Sequence, residues 1–499
     1  MHPQLRNSLL IALGLGFAFF GSLQLAGGSW FWPMLGGFGL LGLSLVYLTK
    51  LRLETLCLAL GMAGYLLGNR GFAQQMLPGS LPLLPAEAIL AVTVPLLFLR
   101  VCIGRAWPGG SGSLPWLVGG WALLATLRLP LDLRHYGLYA LRDYALVYYT
   151  AFFFVASAVG QVDRDRRALE RTLTACLAAM PVLYFAYDFF PEFFWTRLTL
   201  QHMPLIAFKP DLVSTFAAVG VVRFYLLARR GDRYSGMYWL ACTINALVVG
   251  HALGRSTLVA LAVAAIWLWV ARERIFVLCL ASALALLLAG SALMTSMHGS
   301  AWKQTTANSL YEHIISIGDL SGQGDYTHED ALSKGDNNRF RLVWWREILR
   351  ETWATNPWLG LGWGYDLSAQ FTRAYFEADL EDFSTRSPHN VLFTVFGRTG
   401  LLGLVPFAFV IAGLARHTVA AVRRHRTQPD DPTAMADWLG VWVVLVCACF
   451  GVVLEGPMGA VVFWTLLGMA NATPSSEADH AAASATAEPV AAGAPPAPA

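Results

Sequence analysis

The sequence is poor in charged residues. Only 13% of its 499 residues are Asp, Glu, Lys or Arg, whereas an ordinary soluble domain contains roughly 25%. Hydrophobic residues make up 56% of the chain, and apolar stretches of about 20 residues, the length that crosses a bilayer as a helix, recur along it. These features exclude an ordinary soluble enzyme and predict an all-α polytopic membrane protein of about 12–14 transmembrane helices.

The predicted loops lack cysteine, and the basic residues form no single cluster. All seven cysteines fall in or at the ends of apolar stretches, which argues against a disulfide framework or a cysteine-based zinc site in a loop. The 35 Lys and Arg residues are spread over many loops. The net charge of +3 therefore indicates no nucleic-acid-binding face.

Apolar runs between Gly, Pro and charged residues predict about fourteen membrane spans. They lie near residues 8–27, 30–48, 54–69, 84–103, 114–129, 140–160, 168–190, 210–228, 235–252, 256–271, 275–295, 389–415, 435–455 and 457–471. The first apolar run is longer than the roughly 7–15 residues of a signal-peptide core, so we expect it to remain as an anchor.

Lys and Arg in the short loops predict the orientation of the chain. With a cytoplasmic N-terminus, they favour the cytoplasmic loops by roughly three to one. We therefore expect both termini in the cytoplasm, and the large loop at 296–388 on the outer face. The expected regions are N-terminal helices at 1–250, a second membrane region at 251–471 that includes this loop, and a tail at 472–499 whose composition predicts disorder.

The outer loop contains the segment NNRFRLVWWREILRETWATNPWLGLGWG. Apolar side chains recur in it at helical spacing, at Trp345, Ile348, Leu349 and Trp353, and an Asn-Pro pair predicts the end of this helix. We expect an amphipathic helix at the membrane interface, although a surface helix with solvated arginines fits the same pattern. The following GLGWG at 360–364 is like a phosphate-binding loop, but no strand precedes it, and we interpret it as a turn.

The same loop ends in STRSPHNVLFTVFGRTGLLGL, where His389 directly precedes an apolar span. The start of a helix favours anions, and Arg339, Arg341 and, at the outer start of another span, Arg255 add positive charge. The planar guanidinium group suits phosphate oxygens. Arginines beside a titratable base are therefore suited to transfer from a diphosphate leaving group, although a purely structural histidine is the plainer interpretation.

Three motifs occur in order: GRST at the start of a span, R-x-x-x-W followed by NPWLGLGWG, and HNVLFTVFGRTGLLGL. Over about residues 250–415 they resemble the O-antigen ligase and polymerase family of bacterial envelope glycosyltransferases. The resemblance implies a GT-C-like membrane fold and transfer of a glycan from undecaprenyl diphosphate to a hydroxyl acceptor, on the periplasmic side of the inner membrane. His389 would be the catalytic base or acceptor-orienting residue. Arg255 and Arg341 would hold the diphosphate, with Arg339 as an alternative to Arg341.

The resemblance implies neither a cofactor nor a metal ion. A Mg²⁺ site would require clustered carboxylates, which DYTHED at 325–330 and EADLEDF at 377–383 offer. We interpret both segments as solvated loop.

Three arginines are predicted inside membrane spans, where charge is costly and often functional. Arg142 either lines a donor cavity or pairs with the adjacent Asp143. Arg223 lies toward the cytoplasmic end, where its long side chain would extend to the interface. Arg398 lies far enough into its helix to face the interior of the bundle and could belong to the same cavity.

The leading interpretation is a ligase that acts on a lipid-linked glycan donor with lipid A-core as acceptor. A polymerase of O-antigen or exopolysaccharide, and a ligase that glycosylates proteins, fit the same motifs. A transporter or flippase should have two halves with broken helices in corresponding positions, and the sequence has no such pairing. A structural scaffold leaves the three motifs unexplained.

Overall fold

The structure, a computed structural model, describes most of the chain. The described residues are 46, 48–76, 84–103, 112–200, 202–252, 254–298, 311–312, 314–316, 318–319, 329–376, 386–429 and 431–472. The predicted span at 8–27, almost all of that at 30–48, the tail beyond residue 472 and residues 325–328 and 377–383 lie outside the described residues. Residues 329 and 330, predicted as part of a solvated loop, instead begin a helix.

The described chain is helical almost throughout. In chain order its helices are α1 (Leu53–Ala63), α2 (Arg70–Ala73), α3 (Pro85–Cys102), α4 (Leu114–Tyr136), α5 (Leu138–Asp143), α6 (Ala145–Tyr148), α7 (Ala151–Gly160), α8 (Asp163–Phe189), α9 (Pro191–Thr196), α10 (Pro210–Ala228), α11 (Ser235–Ala252), α12 (Arg255–Val270), α13 (Arg274–His298), α14 (Glu329–Thr355), α15 (Ala369–Phe376), α16 (Val391–Thr427), α17 (Thr433–Ala448) and α18 (Pro457–Asn471). A π-helical turn, Gly64–Gly68, extends α1. Two short strands, β1 (Thr199–Leu200) and β2 (Met203–Pro204), form an antiparallel hairpin after α9.

Six segments of the described chain are long and apolar enough to cross a membrane. They are α3, α4, the run from α5 to α7, α8, α10 and α16. Five shorter apolar helical segments accompany them: α1 with its π-helical turn, α12, α13, α17 and α18. This composition confirms the prediction of an all-α polytopic membrane protein.

Burial separates the centre of the bundle from its lipid-facing edge. α10 packs against α11 and α17, and 94% of its apolar window is buried. The corresponding share for α3 is 17%, so side chains such as Phe98 and Leu99 remain exposed. Because lipid is the solvent at membrane depth, α3 forms an edge of the bundle and α10 its core.

Several predicted spans differ from the observed helices, since that at 389–415 continues to Thr427 and that at 435–455 ends at Ala448. The span at 140–160 is divided into α5, α6 and α7. The short span predicted at 114–129 continues to Tyr136 as α4, because Arg128 and Asp132 form an ion pair of 3.0 Å one helical turn apart. These charged residues belong to the helix rather than ending it.

α16 bends at Gly400, whose φ of +61° lies outside the helical region. Part of the outer loop, residues 357–364, lies against this bend. The N–H of Leu361 donates to the carbonyl of Gly397 at 2.7 Å, and a Cβ atom at Gly360 would lie 2.6 Å from the backbone nitrogen of Gly400. Glycine is therefore required on both sides of the contact.

The GLGWG segment forms a turn, as predicted. Gly360, Gly362 and Gly364 have φ values of +71°, +105° and +90°, which favour glycine. Between them, the indole N–H of Trp363 donates to the carbonyl of Ala125 in α4 at 3.0 Å. The segment thus joins the outer loop to α4 as well as to α16.

Two contacts join residues that the charge pattern assigns to the same side of the membrane. Arg52 pairs with Asp165 at 3.4 Å, and both belong to predicted cytoplasmic loops. Arg128, from a predicted outer loop, donates to the carbonyl of Gly360 at 3.0 Å. Which end faces the cytoplasm stays a prediction.

Arg223 does not extend to the membrane interface, so that prediction is wrong. Its side chain is 3% exposed and pairs with Asp437 of α17 at 2.5 Å. It also donates to the hydroxyl of Thr174 in α8 at 3.0 Å. A buried guanidinium needs a partner, and the carboxylate that provides it is 214 positions away in the sequence.

Candidate active site

The outer-loop helix α14 has two apolar faces. One buries Trp344 and Ile348 in a small cluster with Phe371 of α15, and the rings of Trp344 and Phe371 stack with centroids 4.7 Å apart. On the other face, Leu349 and Trp353 are 46% and 64% exposed. α14 is therefore fixed to the loop on one side and presents an apolar surface on the other, and its location at the membrane interface stays a prediction.

An open groove of about 750 Å³ follows the exposed face of α14. It is lined by Leu342, Trp345, Arg346, Leu349, Arg350, Trp353, Ala354 and Phe393. The rings of Trp345 and Phe393 stack with centroids 5.0 Å apart. Because Phe393 lies in the first turn of α16, the groove extends along α14 to the beginning of that helix.

α14 places its two candidate arginines in different surroundings. Arg339 is exposed, and its guanidinium carbon lies 5.8 Å from the centroid of the Tyr375 ring. Arg341 is partly buried, and its buried Nε has no hydrogen-bond acceptor among the described residues. Burial lowers the pKa of Arg341, and the charge of Asp211 in α10 raises it. A buried donor without an acceptor requires an explanation, and a bound anion provides one for Arg341.

The segment that carries His389 is held by hydrogen bonds on both sides. Its backbone has a φ of +58°, and its N–H donates to Ser387 Oγ at 3.3 Å. Asn390 caps α16 by accepting two backbone N–H groups. The indole N–H of Trp345 donates to the carbonyl of Pro388 at 2.8 Å. α14 and the helix cap therefore fix the position of His389 together.

A carboxylate between the last two helices also fastens this segment. Glu455, which lies between α17 and α18, accepts hydrogen bonds from the hydroxyls of Ser387 and Thr394. The bond from Thr394 measures 2.5 Å. Ser387 and Thr394 lie on either side of His389 in the sequence. Glu455 therefore helps to fix the position of His389, in addition to α14 and the cap of α16.

The surroundings of His389 keep its imidazole neutral. Burial and the positive charges of Arg341 and Lys209 lower the pKa of His389 to about 4, against an opposing effect of Asp211. Its buried Nδ1 has no hydrogen-bond partner in the described part of the chain. An imidazole that is neutral at pH 7 is able to accept a proton.

Arg255 connects the start of α12 with α14. Its guanidinium donates to both the carbonyl and the hydroxyl of Ser316, at 3.3 Å each. Asn338 of α14 donates to the same carbonyl at 2.8 Å. Because Asn338 lies about one helical turn before Arg341, the structure brings the starts of these two motifs to the same region.

Arg398 faces the interior of the bundle, as predicted. Its side chain is 3% exposed and pairs with Asp143 of α5 at 2.7 Å, and it donates to the carbonyl of Tyr365 in the outer loop. Arg142 is exposed and forms no ion pair with any described residue. Arg398 therefore replaces Arg142 as the partner of Asp143, and a contribution of either arginine to a donor cavity stays a prediction.

No group of three or more His, Cys, Asp or Glu that could hold a metal ion occurs in the described residues. The two carboxylate-rich segments considered above, 325–330 and 377–383, contribute no described side chain. The described part of the site is thus composed of arginines, a lysine, a neutral histidine and single carboxylates.

A comparison with protein families identifies the region that contains these residues. Residues 240–408 match a family model described as O-antigen ligase. This match over about a third of the chain supports an O-antigen ligase or polymerase family. The O-antigen ligase domain includes α12, α14 and the start of α16, and with them Arg255, Arg341 and His389. Its presence supports a ligase or polymerase type of function in a membrane. No curated protein matches the chain.

Three residues of the site have no counterpart in the sequence-based prediction. Lys209 directly precedes α10, and Asp211 lies in its first turn. In the sequence, Lys-Pro-Asp indicates only the start of a helix. Glu455 could have been noticed in the sequence, because a lone carboxylate between two apolar spans is energetically costly unless it has partners. The proximity of these residues to His389 arises from tertiary packing, and no local pattern encodes it.

Proposed function

We propose that the O-antigen ligase domain transfers a glycan from undecaprenyl diphosphate to a hydroxyl group of lipid A-core, at the periplasmic face of the bacterial inner membrane. The observation that carries the proposal is the placement of Arg341 close enough to His389 for its charge to act on the imidazole. Each has a buried polar atom without a partner among the described residues, and the charge of Arg341 acts on His389. An anionic leaving group and an acceptor hydroxyl are the ligands that suit these two side chains.

The proposed step is a direct displacement at the donor sugar. The acceptor oxygen forms a bond to the anomeric carbon, and the bond from this carbon to the diphosphate oxygen breaks. The hydroxyl proton passes to the imidazole of His389, and undecaprenyl diphosphate leaves with the bonding electron pair. Arg255 and Arg341 stabilise the charge that develops on the diphosphate, which is usually the largest catalytic contribution in such a site, so we infer that no metal ion is required.

The groove along α14 suits the hydrocarbon part of this donor. Trp345, in the groove, lies one helical turn after Arg341, so a diphosphate at Arg341 would direct an apolar chain along Leu349 and Trp353. Both of these side chains are exposed. The groove supports a donor carried by a lipid in preference to a soluble sugar nucleotide.

Reconstitution with purified substrates tests the proposal and separates it from the polymerase alternative. The full-length protein is supplied with an undecaprenyl-diphosphate-linked glycan in the presence of EDTA, either with lipid A-core or with excess donor alone. Glycosylated lipid A-core supports the proposed ligase. Longer donor-linked glycan without lipid A-core indicates a polymerase, and the absence of both products from folded protein contradicts the proposed transfer.

Two neighbouring arginines of α14 are expected to differ in their effect on transfer. Arg341→Ala should lower the transfer rate about a hundredfold or more, because a charge facing the leaving group is lost. Arg339→Ala should stay within about twofold of the wild type, since Arg339 is exposed and an exposed charge contributes little. Initial rates in the reconstituted assay measure both. Equal losses in the two variants would contradict the assignment of Arg341.

The transfer rate is expected to fall on the acid side near pH 4. His389 accepts a proton only when its imidazole is neutral, and its pKa is lowered to about 4. Activity should therefore be present above this pKa and be lost as the pH falls through it. Initial rates are measured from neutral pH downward, with folding checked at each pH. If the rate instead falls near pH 6.5, the ordinary pKa of histidine, burial and the neighbouring cations do not lower the pKa of His389 as argued.

A further inference from the structure

The segment before α10 brings a lysine and an aspartate to the site. The Nζ atom of Lys209 lies 3.0 Å from Oδ2 of Asp211. Their side chains are 34% and 43% exposed, so the ammonium group remains accessible. An isolated ion pair with this exposure contributes at most about 1 kcal/mol to stability. The stability of the fold therefore gives only a weak explanation for the presence of this ion pair.

The backbone around Lys209 is firmly held. Its N–H donates to Oδ1 of the buried Asn69 at 3.1 Å. Two residues earlier, Ala207 exchanges backbone hydrogen bonds of 3.2 Å with Gly68 and Gly71. A Cβ atom at Gly71 would lie 2.7 Å from the backbone nitrogen of Ala207, which shows how closely the two segments approach. Lys209 thus projects from a fixed backbone.

The same segment is connected with the surroundings of His389. Asp211 Oδ2 lies 4.0 Å from the position that a Cβ atom at Gly451 would take. Gly451 belongs to the connection between α17 and α18, which also carries Glu455, the acceptor for the Ser387 hydroxyl. The start of α10 and the His389 segment therefore adjoin the same connection.

The charged groups that act on His389 come from several elements. Arg341 acts from α14, and Lys209 and Asp211 act from the start of α10. Within its own segment, His389 is linked to Ser387, which in turn donates to Glu455. Lys209 and Arg341 thus provide positive charge to one site from different parts of the fold.

We propose that Lys209 is a third diphosphate-binding residue and that Asp211 is a positioning residue, which stabilises the imidazolium form of His389 during transfer. This inference rests on the proposed function. With Arg255 and Arg341, Lys209 brings the cationic side chains of the site to three, against the two carboxylates Asp211 and Glu455. A diphosphate linked at both ends carries one negative charge on each phosphate, so it is the kind of ligand that a net positive site attracts.

The two residues have opposite expected effects on donor binding. Lys209→Met removes a cation and should weaken binding of undecaprenyl diphosphate about tenfold, the effect of a charge-assisted contact. Lys209→Arg should restore most of this affinity. Asp211→Asn removes a competing anion, so binding should be unchanged or tighter, while transfer slows about tenfold because His389 loses a negative charge that favours its protonated form.

The experiment measures binding of undecaprenyl diphosphate to the detergent-solubilised full-length protein, and kcat and KM for glycan transfer with the same preparations. Arg230 and Asp431 form an ion pair of 3.1 Å at the other end of the bundle. Arg230→Met and Asp431→Asn are the matched controls, and both should bind and transfer as the wild type does. Size-exclusion profiles and thermal unfolding establish that each variant is folded.

The outcomes separate this inference from the proposed function. Wild-type affinity in Lys209→Met, together with weak binding by Arg341→Ala, would overturn the role of Lys209 and leave the proposed function intact. Parallel losses of binding and transfer in Lys209→Met and Asp211→Asn would indicate a structural ion pair and also overturn the inference. A folded wild-type protein that does not bind undecaprenyl diphosphate would contradict both proposals.

Discussion

Replacing His389 by alanine is expected to lower the rate of glycan transfer by about a hundred- to ten-thousandfold, the range for loss of a general base. The affinity for undecaprenyl diphosphate should stay within about threefold of the wild type, because charge-assisted contacts from arginine hold the diphosphate. The two measurements together distinguish loss of a base from loss of the site. Initial rates and binding are measured on the same reconstituted preparation.

A second outer-end histidine provides the control for this experiment. His251 is 46% exposed and lies 3.1 Å from Asp188, and we assign it no part in transfer. His251→Ala should therefore transfer at the wild-type rate. A folded His389→Ala protein that keeps more than a tenth of the activity would rule out His389 as the base.

Replacing Gly400 by valine is expected to destabilise the protein by at least about 3 kcal/mol and to lower the yield of folded protein. The residue has φ +61° and ψ −155°, a region that is essentially restricted to glycine. In addition, an added Cβ atom would lie 2.5 Å from the backbone carbon and oxygen of Trp358. Backbone atoms cannot move aside as a flexible side chain can, so the outer loop would separate from α16.

Thermal unfolding in detergent and the fraction of monodisperse protein measure this effect. Gly120→Ala is the control, because Gly120 lies in α4 and a Cβ atom there has no neighbour within 4 Å. In a helix this change stabilises by up to about 1 kcal/mol. If Gly400→Val unfolds at the same temperature as Gly120→Ala, the contact with Trp358 has no role in stability.

Composition and periodicity predicted the fold class because both report directly on the solvent that surrounds each segment. The apolar length of α10 indicated a span, and α10 is also the most buried of the six long spans. The interior orientation of Arg398 followed from its distance from the helix end. These predictions depend only on local sequence, and the structure agrees with them.

The errors concern the partners of polar groups. Asp437, the partner of Arg223, lies in another helix, and no periodicity connects the two positions. Arg142 and Asp143 are adjacent in sequence, but α5 directs Asp143 toward Arg398. Electrostatic pairing inside a membrane depends on tertiary packing, which the sequence pattern does not encode.

Sequence motifs indicated part of the candidate site, and the roles of its residues stay predictions. Arg255, Arg341 and His389 lie in recognisable motifs. Lys209 begins no apolar pattern, and its position depends on the contact with Asn69, which is 140 positions away. The sequence left Arg339 and Arg341 as alternatives; the structure exposes Arg339 and partly buries Arg341, because a shift of two positions on a helix changes the face on which a side chain lies.

The contact between Gly360 and Gly400 makes two separate stretches of the chain a single module for protein engineering. Each backbone fills the space that a Cβ atom of the other would need, so neither stretch can be replaced independently by one of different shape. A chimaera that exchanges outer loops between two family members should therefore carry residues 357–364 together with 397–402. If the loop alone is grafted, its residues 357–364 would pack against a bend of α16 from a different protein, and the two backbones would not fit together.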